Sequence, residues 1–455
     1  MRQAWVALLF CCWLVVGFPL TTRAQYGVSA TIPEFAGRQV RLSRYTGLDV
    51  KEMGTVVADA QGSFSFPPLV EQGMCFLESG DWQMELLSIG HPIQFVMSDP
   101  DDLASAQFVN APENATWTAY LIERNAYRHH SEALKTVLRQ YDPASEFYQT
   151  AKKEYFKVYE TYRLHTDSLI TLRPDYASRL IRADREVTVD PSLTGQEQRL
   201  WLLDNYLEEV DFNDLELIPT NVLTSKMLDY LSVTQGLKGF EDPELAFVVG
   251  LDRLFDKAKV NMKMYGFVLE YMLQGFTALG FSRVTDYLLN YPQLAEGEIT
   301  AEEASVLERL TDPYQKVRVG AQAPDLSDTT LEGEPYRLYD SQAPWILVVF
   351  WAVDCEYCHD FLTHIRKKLD LENEFELVTV ALGDSQEEVE EELGALRLDD
   401  KGHHFYDERR WDGKMFLDYH VTSTPTVFLL DHDKNIVCKP YDWNELKLFL
   451  KHNKQ

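Results

Sequence analysis

The stretch that most constrains the fold surrounds two cysteines three residues apart, Cys355 and Cys358. The segment before them, Trp345–Trp351, is a short apolar run of β-branched and aromatic residues, which predicts a buried central strand. After them, residues 356–371 carry apolar side chains at helical spacing. We therefore expect Cys355 at a strand-to-helix junction and Cys358 one turn into the helix. Free N–H groups and the dipole at a helix N-terminus favour a thiolate, so this geometry suits dithiol chemistry.

A cysteine pair with this spacing has more than one interpretation. It fits a redox dithiol, and because His359 follows Cys358 it also satisfies the C-x-x-C-H pattern of c-type haem attachment. It matches half of a zinc site as well, although the sequence contains no second cysteine pair with ligand spacing. A permanently closed disulfide is the structural alternative, but a bridge between adjacent helical turns closes a tiny loop and stabilises little.

Downstream residues favour the redox interpretation over haem attachment. Thr424-Pro425 stands at the start of a strong strand pattern, where proline is tolerated and where a cis bond fits. Together with the dithiol, this segment resembles the thioredoxin superfamily, and specifically its extracytoplasmic TlpA/ResA-like branch, over about residues 317–455. The matching motifs are Val319-Gly-Ala-Gln-Ala-Pro-Asp325, Phe350-Trp-Ala352, Cys355-x-x-Cys358, Thr424-Pro-Thr426 and Asp431-x-Asp-Lys-Asn435.

The resemblance implies roles for particular residues. Cys355 would be the attacking thiolate and Cys358 the resolving thiol, and the loop with Thr424 and Pro425 would face the disulfide and pair with a substrate backbone. It also implies substrate contacts for Trp351, Glu356 and Tyr357. It implies no cofactor, so we expect neither a metal nor haem.

Two positions depart from the family pattern. Many thioredoxins carry a buried acid where this chain has Val349, and several TlpA/ResA-like proteins carry a glutamate where it has Phe361. Both acids serve the family as proton acceptors for the resolving thiol. His359 and Asp360 are the nearby substitutes, although the helix turns both away from the face of Phe361.

The composition excludes some classes of partner. The 455 residues include 43 Lys plus Arg against 72 Asp plus Glu, a net charge of −29 at pH 7. This acidity argues against nucleic acid and anionic membranes, since both favour cationic surfaces. Of the remaining four cysteines, we expect Cys11 and Cys12 to leave with the N-terminal segment of residues 1–24. We expect Cys75 and Cys438 to be buried single thiols, with a bridge between them as the alternative.

The N-terminus predicts export. Residues 1–24 resemble a secretory signal, with Arg2, an apolar run from Ala4 to Leu20, and a cleavage site of small residues ending at Ala24. An uncleaved anchor and a lipoprotein are the alternatives, so membrane anchoring remains compatible with the sequence. No later stretch contains 18 apolar residues in a row. We therefore expect a periplasmic or otherwise extracytoplasmic protein.

The rest of the chain predicts three domains. Residues 25–110 contain seven short strand patterns, which predict an antiparallel β-sandwich, and residues 57–66 resemble a small β-domain fused to thioredoxin domains in exported Bacteroidota proteins. Residues 111–315 predict eight helices, the last of them from Thr300 to Arg309. Residues 204–223 resemble a helical domain of unknown function from the same group. Residues 316–455 predict an α/β thioredoxin fold. Its expected strands are 336–340, 345–351, 376–382, 426–431 and 435–438, and its expected helices are 356–371, 385–396, 409–418 and 442–452.

These observations predict an exported thiol–disulfide oxidoreductase that acts on protein thiols and disulfides of the cell envelope. A membrane-bound electron donor is compatible with that role. The negative charges of Asp354 and Glu356 beside Cys355 oppose its thiolate, which favours a reducing or isomerising direction. The alternative is a non-catalytic binding protein with an accessory thioredoxin-like domain.

Overall fold

A computed structural model describes residues 27–69, 71–240, 243–294, 300–371 and 375–452. The proposed signal sequence lies outside these residues. The described chain divides into two compact units. The first contains the residues up to Tyr45, then Val50–Ala126 and His165–Arg179; the second contains Thr46–Asp49, Tyr127–Leu164 and the residues from Leu180 onward.

The strands of the first unit form two four-stranded sheets around one core. One sheet has the order β4-β1-β7-β8, with β1 and β7 parallel, and the other has the order β3-β2-β5-β6. Side chains from both sheets, among them Phe95 and Leu77, pack in a common buried cluster. The strands are β1 Val28–Thr31, β2 Gln39–Tyr45, β3 Val50–Val57, β4 Ser63–Phe66, β5 Gly73–Ser79, β6 Trp82–Ser88, β7 Ile93–Met97 and β8 Ala106–Phe108.

The predicted β-region is confirmed, with two corrections. Strand β8 was missed because three residues are too few to show an alternating pattern. The pairing of β1 with β7 is parallel, whereas the sequence predicted an antiparallel sandwich throughout. Cys75 is buried in β5 as a free thiol, with its Sγ 3.5 Å from the Leu86 carbonyl oxygen.

The central region is helical, as predicted. Its helices are α1 Pro112–Gln140, α2 Glu146–Leu172, α3 Tyr176–Asp184, α4 Gly195–Asn205, α5 Asn221–Thr234, α6 Pro243–Ala258, α7 Met262–Ala278, α8 Ser282–Leu294 and α9 Ala301–Gln315. Helix α3 was missed. The expected end of the last helix at Arg309 was wrong, because α9 continues through Pro313. Leu307, Thr311 and Tyr314 keep one face of that helix buried, which holds the last turn in place despite the proline.

The C-terminal region contains a five-stranded sheet with the order β13-β12-β11-β14-β15. Strands β12 and β13 run parallel to β11, whereas β14 pairs antiparallel with both β11 and β15. The strands are β9 Ser327–Thr329, β10 Pro335–Arg337, β11 Trp345–Ala352, β12 Glu376–Leu382, β13 His403–Tyr406, β14 Thr426–Asp431 and β15 Ile436–Cys438; β9 and β10 form a separate hairpin. The helices are α10 Glu356–Leu371, α11 Gln386–Leu396, α12 Lys414–Asp418 and α13 Trp443–His452.

Strand β11 is buried on both faces, as its uninterrupted apolar run predicted. Val348 and Phe350 belong to one core cluster, whereas Leu347 and Trp351 belong to the cluster on the other face of the sheet. The alternation follows from the period of two along a strand. Two clusters on one strand explain why this segment is the most apolar stretch of the region.

Two predicted elements of this region were wrong in detail, and one strand was missed. The expected strand 336–340 ends at Arg337 and continues as a 3₁₀ turn, and the expected helix 409–418 is a 3₁₀ turn followed by α12. Strand β13 was missed because it contains the polar pair His403-His404. His404 is nevertheless fully buried, with one ring nitrogen 2.8 Å from Thr379 Oγ1 and the other 2.8 Å from the Leu398 carbonyl. Burial lowers the pKa of His404, so this side chain packs as a neutral core residue.

Within the described residues, no helix is both long enough and apolar enough to cross a membrane.

Candidate active site

The two cysteines lie where β11 passes into α10. Cys355 directly precedes the helix, Cys358 lies in its first turn, and the two sulfurs form a disulfide with the Cα atoms 5.2 Å apart. The backbone N–H of Cys358 donates to Cys355 Sγ at 3.2 Å. A sulfur at this position receives both a direct hydrogen bond and the positive end of the helix dipole, and both interactions are stronger when the sulfur is a thiolate.

The two sulfurs differ in accessibility. Cys355 is partly exposed, whereas Cys358 has no exposed surface. Cys358 packs in the same buried cluster as Val349, Trp351 and Phe361. A partner molecule can therefore reach the first sulfur but not the second, which is the asymmetry that sequential disulfide exchange requires.

The loop before β14 completes the site. The peptide bond between Thr424 and Pro425 is cis. The register of β14 against β11 places Thr426 opposite Phe350, so the loop lies at the same end of the sheet as the cysteines. Cys355 Sγ is 3.7 Å from the carbonyl oxygen of Thr424. The sulfur carries no proton while the disulfide is closed, but in the dithiol that carbonyl can accept the Cys355 S–H.

The remaining residues assigned to substrate contact divide between surface and core. Glu356 and Tyr357 are exposed, and Tyr357 has 83% of its surface accessible. Trp351 has none and lies beneath the disulfide, with its ring centroid 6.4 Å from that of His359. The assignment of Trp351 to substrate contact therefore needs correction, because its strand position points it into the core. Trp351 packs in the buried cluster that contains Cys358.

The surroundings of Cys358 contain little that could take its proton. Val349 and Phe361, at the two positions where relatives carry acids, are apolar and buried. His359 lies next in sequence, but its Nε2 is 3.6 Å from a carboxylate oxygen of Glu392. Asp360 is exposed to solvent. The departure seen in the sequence thus persists in three dimensions, because neither position holds an acid and both side chains are buried.

The motif Asp431-x-Asp-Lys-Asn435 is structural. It makes the tight turn between β14 and β15, where Lys434 has a left-handed backbone with φ 68°. The Lys434 ammonium donates to the carbonyls of Ser341 at 2.9 Å and His432 at 2.6 Å, and Asp431 Oδ1 accepts the N–H of Asn435. These bonds fix the far end of β14, and hence the strand that carries the cis-proline loop.

Sequence reasoning missed a cavity beside this loop. Its lining includes Lys439 and His420, neither of which belongs to a recognisable motif. The one available signal was a lysine that directly follows the apolar strand β15 and precedes Pro440. A single lysine at a strand end is ordinary, so nothing in the sequence alone was a reason to select it.

Comparison with known proteins agrees with this geometry. Residues 319–439 match the AhpC/TSA family. The chain is 30% identical over 132 residues to the thioredoxin-like protein YneN of Bacillus subtilis, which covers 27% of this chain and 69% of that protein. It is 26% identical over 125 residues to a thiol-disulfide oxidoreductase ResA of Bacillus cereus, covering 28% of this chain and 70% of the relative.

Solved structures are similar to this chain as well. A thioredoxin-like protein from Bacteroides caccae aligns with 59% of this chain and 98% of its own, at 15% identity and a TM-score of 0.39.

Proposed function

The chain belongs to the thioredoxin-like family of thiol–disulfide oxidoreductases, and we propose that it exchanges disulfides with protein substrates through Cys355 and Cys358. The observation that carries the proposal is the pairing of one accessible sulfur with one fully buried sulfur, beside a cis-proline loop whose carbonyl lies 3.7 Å from the accessible one.

The reaction in the reducing direction has two steps. The Cys355 thiolate attacks one sulfur of a substrate disulfide; a mixed disulfide forms and the other substrate sulfur leaves as a thiolate. Cys358 then loses its proton and attacks Cys355 Sγ, which releases the second substrate thiolate and closes the protein's own disulfide. The substrate gains two electrons and two protons. A second dithiol of the cell envelope, or a membrane-bound donor that supplies dithiol equivalents, must reduce the protein again.

The nucleophile assignment follows from the local fields. Helix N-termini stabilise an adjacent negative charge by about 0.3–1 kcal/mol when exposed, and by up to about 2 kcal/mol when partly buried. Cys355 receives this interaction and the N–H of Cys358. Asp354 and Glu356 weaken this stabilisation without cancelling it, because both are exposed and their charges are partly screened by salt.

We further propose that the protein is exported and acts as a reductant or isomerase. The support for export is the pattern of residues 1–24, and the support for direction is the pair of acids beside Cys355, since a strong oxidant needs a more stabilised thiolate. In an oxidising compartment such a dithiol repairs or removes disulfides and does not introduce them.

The direct test is a redox titration of the full chain. Protein is equilibrated in dithiol/disulfide buffers of graded potential, quenched and alkylated, and the number of reacted thiols is counted by mass. We expect one two-electron transition, with a tenfold change in ratio for every ~30 mV, in wild-type protein and none in Cys355→Ser. If neither cysteine reacts with a thiol reagent in the folded, reduced protein, the non-catalytic binding alternative holds instead.

Cys75 and Cys438 do not disturb this measurement. Both are buried free thiols, and burial raises the pKa of each to about 12. They are therefore protonated and inaccessible under the conditions of the titration, so among the cysteines of the described residues the alkylation count reports the C-x-x-C pair alone.

A further inference from the structure

A cavity of about 70 Å³ lies next to the cis-proline loop, between the central helices and the C-terminal sheet. One wall comes from the turn between α7 and α8 and from α9, and the other comes from the loop, from β14 and from residues 439–441. One water molecule needs roughly 10–15 Å³ by this measure, so there is room for a small polar group with part of its aliphatic stem.

The cavity is continuous with the candidate active site. Ser423, Pro425 and Thr426 line it, and the residue between the first two, Thr424, is the one whose carbonyl approaches Cys355. In the described pairing, β15 contacts only Leu429 and Leu430 of β14, so the first half of β14 offers its outer edge toward this space. An extended chain bound along that edge would place neighbouring side chains at intervals of about 3.3–3.6 Å per residue.

The cavity carries two cationic groups, Lys439 and Arg318, and one carboxylate, Asp286, that interacts with both. The Lys439 ammonium lies 5.1 Å from the ring centroid of Phe428 and, among the described residues, forms no hydrogen bond and no ion pair within 4 Å. Asp286, the acidic residue of the lining, acts on it from a longer distance. Arg318 lines the same space. A partly buried cation without a close counter-charge costs free energy, and an incoming anion would recover it.

His420 adds a second polar group without a partner. Its Nε2 is buried and has no hydrogen-bond partner in the described part of the chain. The ring packs against Tyr314 with the centroids 4.2 Å apart, and the residue has a left-handed backbone with φ 47°. These contacts hold the imidazole at the cavity wall. Burial and the charge of Lys439 lower the pKa of His420, and the neutral ring with its hydrogen on Nε2 donates to an anion.

We propose that this cavity binds a carboxylate of the protein substrate, within a few residues of the cysteine that Cys355 attacks. The inference rests on the proposed function and names a substrate class for it: polypeptides with an acidic group next to the reacting disulfide. In a protein of net charge −29, an acidic substrate would otherwise be repelled. Lys439 and His420 are then specificity residues and take no part in the sulfur chemistry.

The test uses reduced full-length protein and short peptides with one cysteine linked to thionitrobenzoate. The Cys355 thiolate attacks the peptide sulfur, the peptide–thionitrobenzoate bond breaks and thionitrobenzoate leaves with its electron pair as a coloured anion; Cys358 then displaces the peptide thiol. Peptides of otherwise neutral sequence carry glutamate at one position at a time on either side of the cysteine. Each has a partner with glutamine there. A further pair ends in a free carboxylate or in an amide, which separates side-chain from chain-terminal carboxylates.

We expect one glutamate position, or the free terminus, to raise the second-order rate constant about tenfold over its neutral partner. Lys439→Met should abolish this preference, whereas Lys447→Met, the same change at an exposed lysine of α13, should keep it. Asp286→Asn, which removes the competing carboxylate, should enlarge it. Circular dichroism of each variant checks that it is folded.

The outcomes separate the two proposals. If no peptide releases thionitrobenzoate, the proposed function fails. If all peptides react and glutamate gives no advantage over glutamine at any position, the function stands and the carboxylate site is wrong. A preference that survives in Lys439→Met also overturns the site, because the acidic group is then recognised elsewhere.

Discussion

Replacing Lys439 with methionine should stabilise the protein near neutral pH. Burial lowers the pKa of this lysine from 10.5 to about 8, and Asp286 offsets only part of that effect. The unfolded chain therefore binds more protons than the folded chain between about pH 8 and pH 10.5, and stability rises with pH across this window. Below pH 8 the full cost applies, which at about 1.4 kcal/mol per pKa unit is roughly 3–4 kcal/mol. Methionine keeps most of the length of the side chain and removes this cost.

Urea unfolding measured across a pH series tests the reasoning. Lys439→Met should be more stable than wild type below pH 8, and the two curves should converge as the pH approaches 10.5. Lys447→Met is the matched control, because its exposed side chain should change stability by less than about 0.5 kcal/mol at any pH. A Lys439→Met protein less stable than wild type at neutral pH would refute the account, since the ammonium would then have a favourable partner. A gain that does not vary with pH would refute it as well.

Three further predictions concern other parts of the chain. Gly280→Ala should destabilise the protein by about 1–3 kcal/mol, because φ is +71° and a Cβ there would lie 2.8 Å from Cβ of Tyr441. Gly320→Ala is the control in the same thermal unfolding experiment. Its φ is +87° but no atom lies within 4 Å of its Cβ, so it measures the backbone strain alone. Cys75 and Cys438 should react with a thiol reagent only after denaturant is added, as mass spectrometry of the native and unfolded protein would show. The purified protein should be colourless, and a haem band retained covalently after denaturation would contradict the redox interpretation of the C-x-x-C-H motif.

The sequence predicted the site best where a local residue pattern is typical of one kind of secondary structure. The short run of β-branched and aromatic residues predicted a central strand at 345–351, and β11 spans Trp345–Ala352 with Cys355 shortly after it. Thr424-Pro425 was recognisable because proline is excluded from most strand positions. These two local rules locate the dithiol and its facing loop without any knowledge of the rest of the fold.

The sequence predicted less where the environment of a residue is set by distant packing. Histidine is a polar residue that is usually found at the surface. The two ring nitrogens of His404 nevertheless form hydrogen bonds inside the protein, one with Thr379 and one with the Leu398 carbonyl. Lys439 is ordinary in the sequence, and its cavity is enclosed by helices that lie far earlier in the chain. Trp351 belongs to the active-site motif, but the alternation of β11 turns it inward. Neither strand β13, which contains His404, nor the cavity around Lys439 could have been found from local sequence patterns.

The central claim is that Cys355 attacks and Cys358 resolves, and intermediate trapping tests it most directly. Full-length Cys358→Ala and Cys355→Ala are each incubated with disulfide-containing envelope proteins, and covalent complexes are separated on non-reducing gels. Cys358→Ala should accumulate mixed disulfides that reductant dissolves, because its accessible sulfur still attacks and nothing inside the chain can release the product. Cys355→Ala should accumulate none, because its remaining sulfur is fully buried. Complexes that form only with Cys355→Ala would contradict the account.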